Sequence, residues 1–271
     1  MIPVIIISGY LGAGKTTLVR DFLADPKGLR ATVLVNDFGQ INLDAELIAE
    51  TGADTIALTN GCACCSIGDD LLGATQTAAA GAPDLLVIEA SGVAQPARLS
   101  RLLRGVAGTQ LARCLTVVNL SRAERLATDK FVSRLFRQQT EQADALCLNR
   151  APQGKASARQ LELQGRHQAT DLHGFLTDGT RQARDIPATE HDTHFSNVTF
   201  HPDPMPAHRV EAWLKHQAPS AHRAKGPLPV LHEDGRMSMA WLDLVQGSFT
   251  LRPTPDLPLQ HKGRIVVITP S

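Results

Sequence analysis

The sequence lacks several features that would assign it to common classes of protein. Across 271 residues, 27 lysines and arginines balance 27 aspartates and glutamates, so no excess positive charge points to nucleic acid or an anionic membrane. The longest apolar run, residues 2–8, is far shorter than the roughly 18 residues that a membrane-spanning helix needs. The N-terminus shows no basic segment followed by a cleavage site. We therefore expect a cytoplasmic protein with no nucleic-acid or membrane partner.

Cysteine is also scarce, since the chain contains only five. In a reducing compartment a disulfide framework is rare, so a tight group of cysteines is more typical of a metal or redox site. Three of the five stand together in GCACC, residues 61–65. The other two, Cys114 and Cys147, lie within apolar runs, and we expect them to be core residues.

Six short apolar runs alternate with segments that carry apolar residues at helical spacing. Their residues are apolar on both faces, which is typical of parallel strands covered by helices on each side. The pattern predicts a doubly wound α/β domain, with a mostly parallel sheet, over residues 1–185. The six predicted strands are residues 3–8, 31–36, 54–59, 84–90, 114–120 and 144–149.

A smaller α+β domain is predicted over residues 186–271. A segment rich in proline and histidine precedes it and enters its first strand. His191 and His194 of this segment are either solvated linker residues or metal ligands. Helical spacing predicts a helix near residues 208–217, and further strands are predicted near residues 237–244, 248–253 and 264–269.

A glycine-rich motif follows the first apolar run. Gly9-x-x-x-x-Gly14-Lys15-Thr16 satisfies the P-loop pattern and stands between a predicted strand and a predicted helix. Glycines let backbone N–H groups approach phosphate oxygens, and the helix N-terminus adds partial positive charge. In such a loop Lys15 reaches the β and γ phosphates, and the Thr16 hydroxyl ligates Mg²⁺. An accidental glycine-rich turn would not account for the strand and helix around it.

Two acidic residues stand at the ends of predicted strands and are candidate Mg²⁺ residues. Glu89 is the last residue but one of the run 84–90, where a P-loop protein places the acid that holds Mg²⁺ through water, and Asp37 follows the run 31–36. Both belong to the carboxyl edge of a parallel sheet, where ligands bind. The alternatives are a solvated loop carboxylate for Glu89 and a cap for Asp37. Gly92 is either a plain turn glycine or part of a switch loop near a γ-phosphate.

The cysteines of GCACC have the chemistry of a soft metal site. Residues two apart in an extended stretch point the same way, so Cys62 and Cys64 can converge on one ion, and Cys65 joins them if the loop turns. Three thiolates suit Zn²⁺, Cu(I) or a similar ion, and a missing fourth protein ligand leaves a position open for exchange. The alternative is three small residues that pack a buried turn.

Four segments, in this order and spacing, resemble the CobW-type GTPases, a metallochaperone family related to the urease and hydrogenase nickel-insertion GTPases. They are GYLGAGKTTLVRDFL, VNDFGQINLDAELI, TNGCACCSIGDDLL and VIEASGVAQPARL. The resemblance implies a P-loop GTPase that uses Mg²⁺ and GTP and delivers zinc, cobalt or a similar metal to a client metalloprotein. It implies a monomer or homodimer. HRAKGPL, residues 222–228, and the final RIVVIT resemble the family's second domain more weakly.

The resemblance also implies a role for each matching residue. Three residues would be catalytic: Lys15, Thr16 and Glu89. The nucleotide would be bound by Gly12, Ala13, Gly14, Lys15, Thr16, Thr17 and Asn149. The transferred metal would be bound by Cys62, Cys64 and Cys65, and the Mg²⁺ by Thr16, Asp37 and Glu89.

The chain departs from the family at the base-reading motif. Guanine-specific members carry Asn-Lys-x-Asp, whereas this chain carries Asn149-Arg150-Ala151-Pro152, and proline has no side-chain acceptor. Asn119 and Gln40 likewise stand where the family usually has acids. These changes leave two other functions open. One is a thiol metal-binding or sensor protein with a degenerate nucleotide site, and the other is a kinase, which would leave the cysteines without a role.

Overall fold

The computed structural model describes residues 1–36, 55–58, 67–152, 154–178, 195–245, 248–254 and 263–270. The chain divides into two compact units, Met1–Thr193 and His194–Ser271. In the ranges given above, no helix combines the length and the apolar composition that crossing a membrane requires.

Within the described residues, the first unit forms a six-stranded sheet in the order β3-β2-β4-β1-β5-β6. Every neighbouring pair is parallel, so the predicted parallel sheet is confirmed. The strands are β1 (Ile2–Ser8), β2 (Ala31–Asn36), β3 (Thr55–Leu58), β4 (Leu85–Glu89), β5 (Thr109–Asn119) and β6 (Ala145–Asn149).

Helices cover both faces of this sheet. The helices are α1 (Lys15–Ala24), α2 (Ile67–Ala80), α3 (Pro96–Leu103), α4 (Ala123–Thr128), α5 (Ser133–Glu141), α6 (Ala158–Gln164) and α7 (Leu172–Thr177). Successive side chains of a strand point to opposite faces. In β1, Ile5 and Ile7 therefore pack with α1 and α7, while Val4 and Ile6 pack with α2 and α3. The doubly wound α/β class follows from these two packed layers.

The second unit is an antiparallel sheet with one helix among its described residues. Its order is β10-β9-β8-β11-β7. The elements are β7 (Phe195–Phe200), α8 (Ala207–Gln217), β8 (Arg223–Leu231), β9 (Met237–Val245), β10 (Ser248–Pro253) and β11 (Ile265–Pro270). Val210 and Leu214 of α8 pack on the sheet and are almost fully buried. The unit belongs to the predicted α+β class.

Strand β8 has no counterpart in the sequence prediction because glycine and proline interrupt it. Pro227 and Pro229 would break a central ladder, since proline has no N–H to donate. Here β8 pairs with β9 along its whole length, but its pairing with β11 covers only residues 223–225. Both prolines therefore lie beyond the end of the β8–β11 ladder. A strand can contain prolines at such positions because their missing N–H groups are not needed for that ladder.

Candidate functional site

The candidate site lies at the carboxyl edge of the parallel sheet, where β1 and β4 end side by side. Ile7 of β1 pairs with Glu89 of β4, so the turn that leaves β1 begins next to the last residue of β4. Neighbouring strand β5 pairs with β1 on its other side. This edge is where open α/β sheets bind ligands.

The turn between β1 and α1 depends on glycine. Gly9 has a φ of 136°, and a Cβ there would lie 2.3 Å from the carbonyl oxygen of Val117 in β5. No other residue fits this approach without moving a central strand. Helix α1 then begins at Lys15 behind Gly14, which provides no side-chain cap. Its N-terminal N–H groups therefore face the turn, in the arrangement that binds anions.

Lys15 is held inside this turn. Only 8% of its surface is exposed, and its Nζ donates a hydrogen bond to the carbonyl oxygen of Gly9 over 3.0 Å. A buried ammonium is costly unless it is hydrogen-bonded or faces an anion. The residue therefore places a positive charge within the loop rather than in solvent.

Thr16 and Glu89 meet at the end of β4. The Thr16 hydroxyl donates to Oε1 of Glu89 over 2.7 Å, and Glu89 is 2% exposed. A hydroxyl and a carboxylate in contact are hard oxygen ligands of the kind that Mg²⁺ prefers. The chemistry of these two residues fits the Mg²⁺ site that the sequence predicts. The third predicted Mg²⁺ residue, Asp37, lies outside the described residues.

Gly92 belongs to the turn after β4, residues 91–95, which rests directly on the glycine-rich loop. A Cβ at Gly92 would lie 2.5 Å from Cδ2 of Leu11 and 2.8 Å from its backbone N and Cα. Backbone atoms cannot move aside as a flexible side-chain end can, so this position needs glycine. Gly92 therefore has a packing role that a plain turn glycine would not have.

Asn149, at the end of β6, is tied to the same loop. Its Nδ2 donates to the carbonyl oxygen of Ala13 over 2.8 Å. Its Oδ1 is buried and has no hydrogen-bond partner among the residues that the structure describes. A buried acceptor of this kind usually pairs with a ligand or water. The next residues of the motif, Arg150 to Pro152, are exposed.

Asn119 has a local structural role where the family usually has an acid. Its Oδ1 accepts hydrogen bonds from the N–H of Ser121 over 3.1 Å and from the Ser121 hydroxyl over 2.7 Å. It thereby caps the short 3₁₀ helix Leu120–Arg122. Asn119 pairs with Asn149 in the sheet, so this cap lies beside the base-reading motif.

The cysteine motif lies outside the described residues, and so do Gln40, His191 and His194. The motif falls in the chain between β3, which ends at Leu58, and α2, which begins at Ile67. Among the side chains that the structure does describe, no group of three or more histidines, cysteines, aspartates or glutamates is placed to hold a metal. The assignment of Cys62, Cys64 and Cys65 stays a prediction.

The two remaining cysteines are core residues, as the sequence predicts. Cys114 in β5 and Cys147 in β6 are 4% and 7% exposed. Burial raises the pKa of the Cys114 thiol to about 12, and burial also raises the pKa of Cys147. Both thiols lie within the sheet core, where burial disfavours the thiolate that would bind a metal.

Sequence reasoning missed Gln139 of α5, which is fully buried beneath the turn at residues 91–95. Its Nε2 donates to the carbonyl oxygens of Gly92 over 3.2 Å and Ala94 over 3.0 Å. A glutamine in a helix rich in arginine and glutamine carries no pattern that marks it as buried. Only the packing of α5 against the sheet reveals its contacts.

A parallel sheet with a glycine-rich loop between β1 and α1, a buried lysine and a threonine–glutamate contact defines the P-loop class of nucleotide-binding domains. A family model described as "CobW/HypB/UreG, nucleotide-binding domain" matches residues 3–173. The chain belongs to this family.

Individual relatives carry zinc or GTPase in their names. The chain is 30% identical over 190 residues to "Zinc chaperone CobW" of Pseudomonas aeruginosa, a match that covers 58% of this chain and 51% of the relative. It is 38% identical over 109 residues to "Zinc-regulated GTPase metalloprotein activator 1" of Dictyostelium discoideum, covering 35% and 23%. The crystal structure of Zn(II)-bound YjiA GTPase from E. coli aligns with a TM-score of 0.36 and 19% identity, covering 100% and 94%. The matched region thus spans about half, or less, of the curated relatives.

Proposed function

We propose that this chain is a Mg²⁺-dependent GTPase that couples its nucleotide state to the binding and delivery of a transition metal, such as zinc or cobalt, to a client metalloprotein. The observation that carries the proposal is the Thr16–Glu89 contact of 2.7 Å beside the buried Lys15. Lys15, Thr16 and Glu89, the residue types that a P-loop site needs, thus lie together at the carboxyl edge of the sheet. All three fall within the range that the family model matches.

The phosphates would bind at the phosphate end of the site, which comprises residues 9–16, Glu89 and the turn at residues 91–95. Lys15 would exchange its contact with the Gly9 carbonyl for the β and γ phosphates. The backbone N–H groups of the loop and of the first turn of α1 would donate to phosphate oxygens. Thr16, Glu89 and Asp37 would hold Mg²⁺, directly or through water. When bound, Mg²⁺ neutralises charge that develops on the phosphates during hydrolysis.

The base would bind at the base end, residues 149–152. Asn149 already donates to Ala13, so its buried Oδ1 is the group left to accept from a purine. Pro152 provides no carboxylate to pair with guanine. We therefore expect GTP to be preferred over ATP less strongly than a paired aspartate would achieve.

The transferred metal would bind to the thiolates of Cys62, Cys64 and Cys65. Two relatives named for zinc support zinc as the first metal to test. The burial of Cys114 and Cys147 in the sheet core supports the assignment by elimination, since it raises the pKa of both thiols and so disfavours the thiolate that binds metal. Three protein thiolates leave one position open, which suits a metal that is passed on.

A second candidate is a thiol metal-binding or sensor protein whose nucleotide site no longer turns over. The substitution of Pro152 for the base-reading aspartate is the observation that favours it. The two candidates differ in one measurable property. A GTPase chaperone hydrolyses GTP and binds metal, whereas the sensor binds metal alone.

The test combines turnover with metal binding. GTP hydrolysis is measured against Mg²⁺ concentration, and Zn²⁺ and Co²⁺ are titrated into the parent and into a Cys62→Ser, Cys64→Ser, Cys65→Ser variant. Cys114→Ala, which removes a buried thiol, is the matched control. We expect Mg²⁺-dependent turnover in the parent, and metal binding that only the triple variant loses. Metal binding without turnover would replace the proposal with the sensor, and tight binding by the triple variant would show that the metal site lies elsewhere.

A further inference from the structure

Helix α5 makes side-chain hydrogen bonds to the turn at residues 91–95 from beneath. The carboxamide of Gln139 uses both N–H bonds of Nε2, one to the carbonyl oxygen of Gly92 and one to that of Ala94. Two carbonyls of the turn thus depend on a single side chain, and the contact to Gly92 is fully buried. Removing the donor would leave the buried Gly92 acceptor without this partner, which is costly.

The same helix end also holds the start of α3. Oε1 of Gln142 accepts a hydrogen bond from the N–H of Ala97 over 3.2 Å, in the first turn of α3. The side chain of Gln95, the N-cap residue, makes no cap hydrogen bond. Gln139 therefore hydrogen-bonds two carbonyls of the turn, and Gln142, at the end of α5, hydrogen-bonds a backbone amide of α3, the helix that follows the turn.

Gln139 is itself hydrogen-bonded to the inner strand β5 of the sheet. The Thr116 hydroxyl of β5 donates to the backbone carbonyl oxygen of Gln139 over 2.9 Å, and Thr116 is 1% exposed. On the other side, the turn at residues 91–95 touches Leu11 of the glycine-rich loop through Gly92. The turn therefore lies between two fixed elements, α5 below and the phosphate loop above.

We propose that Gln139 is a positioning residue for nucleotide hydrolysis. It holds the turn at residues 91–95 against the phosphate loop. This turn begins two residues after Glu89, whose carboxylate contacts Thr16. This inference rests on the proposed GTPase activity. Gln139 touches neither nucleotide nor metal in this account, and it acts through the backbone of Gly92 and Ala94. Its loss therefore lowers the turnover of bound nucleotide more than the binding of nucleotide.

The test compares two variants at this position with one control on the same helix. Gln139→Met keeps the length of the side chain and removes both donors, and Gln139→Glu replaces the donors with an acceptor. Thr140→Val is the matched control, because Thr140 is as deeply buried but, among the residues that the structure describes, its hydroxyl bonds within its own helix, to the carbonyls of Phe136 and Arg137. Steady-state kinetics give kcat and KM, and hydrogen exchange reports the protection of residues 91–97.

We expect both Gln139 variants to lose kcat by about fivefold or more, with KM within about twofold of the parent. Hydrogen-exchange protection of residues 91–97 falls in the same variants, while Thr140→Val keeps parental kcat and protection. If the Gln139 variants do not fold, Gln142→Ala removes the neighbouring contact at a less buried position, and a kcat loss of about twofold is expected there.

Unchanged kcat in folded Gln139→Met, or a rise in KM with kcat unchanged, would overturn the inference while the GTPase proposal stands. An equal loss of kcat in Thr140→Val would show general damage to α5 and would also overturn it. A parent protein that binds GTP but does not turn it over would instead overturn the proposed function.

Discussion

The phosphate end and the base end of the candidate site differ in how firmly they are held. At the phosphate end Lys15 is buried and hydrogen-bonded to Gly9, and Thr16 is hydrogen-bonded to Glu89. The buried Gln139 supports the adjoining turn at residues 91–95. At the base end, among the residues that the structure describes, the hydrogen bond to the loop is that of Asn149, and Pro152 stands where guanine-specific relatives carry an aspartate. Phosphate chemistry depends on backbone shape and close charges, which this chain keeps. Base selection depends on one short loop, which it has changed.

The largest expected effect is at the phosphate end. Lys15→Ala removes the ammonium that neutralises phosphate charge, so turnover or nucleotide affinity should fall at least tenfold, about 1.4 kcal/mol or more. Lys215→Ala, which breaks an exposed ion pair with Glu211 in the second unit, is the control and should leave turnover unchanged. GTP hydrolysis and equilibrium binding are the measurements. Parental values for Lys15→Ala would show that the loop does not bind phosphate.

The next effect concerns the contact between the turn at residues 91–95 and the loop. Gly92→Ala places a methyl group against the backbone of Leu11, so turnover should fall about fivefold and the free energy of unfolding by about 1–3 kcal/mol. Gly73→Ala is the matched control, because a Cβ there meets no atom of another described element within 4 Å. In the middle of α2 it should add up to about 1 kcal/mol of stability. Thermal unfolding and turnover are measured together, and equal behaviour of the two variants would contradict the close packing at Gly92.

The smallest effect is at the base end. Competition between GTP and ATP should show a preference below about a hundredfold, or 2.7 kcal/mol. An Arg150→Lys, Pro152→Asp double variant restores the motif of guanine-specific relatives and should raise the preference by about threefold or more, the net value of one hydrogen bond. An Arg150→Lys single variant separates the effect of the aspartate. A parental preference above a hundredfold would mean that another residue reads the base.

The sequence predicted the positions of the strands better than the contacts between elements. Particular residues explain this difference. Five of the six predicted parallel strands end within one or two residues of β1, β2, β3, β4 and β6 at both ends, because their apolar runs are unbroken. Strand β5 begins at Thr109, five residues before the predicted Cys114, because polar residues interrupt its first half. That half is a strand because it pairs with the start of β1, from Ile2 to Val4. Pairing across the sheet is a tertiary effect that a local pattern does not contain.

The site divides in the same way. Lys15, Thr16 and Glu89 belong to patterns that local sequence carries, and the structure places Thr16 in contact with Glu89. Gln139 belongs to no motif, and Leu11 stands at a position that the P-loop pattern leaves unspecified. Their contacts to Gly92 arise only when α5 and the loop pack against one turn. The order of the strands, which brings β1 between β4 and β5, also had no signal in the sequence.

The central claim is that nucleotide state and metal binding are coupled. If GTP orders the segment that carries Cys62, Cys64 and Cys65, the metal must change nucleotide affinity by the same factor as the nucleotide changes metal affinity. A useful coupling is about 1 to 3 kcal/mol, a shift of about five- to 150-fold. Metal uptake should also weaken as pH falls, because thiolate ligands must lose protons before they bind.

The most direct test measures Zn²⁺ affinity in three states: with a non-hydrolysable GTP analogue, with GDP and without nucleotide. The matched protein is the triple serine variant, which should bind weakly in all three states. We expect the Zn²⁺ dissociation constant of the parent to differ by about fivefold or more between the GTP-analogue and GDP states. The same Zn²⁺ affinity in all three states would contradict the account, and the chain would then be a metal-binding protein whose P-loop serves another purpose.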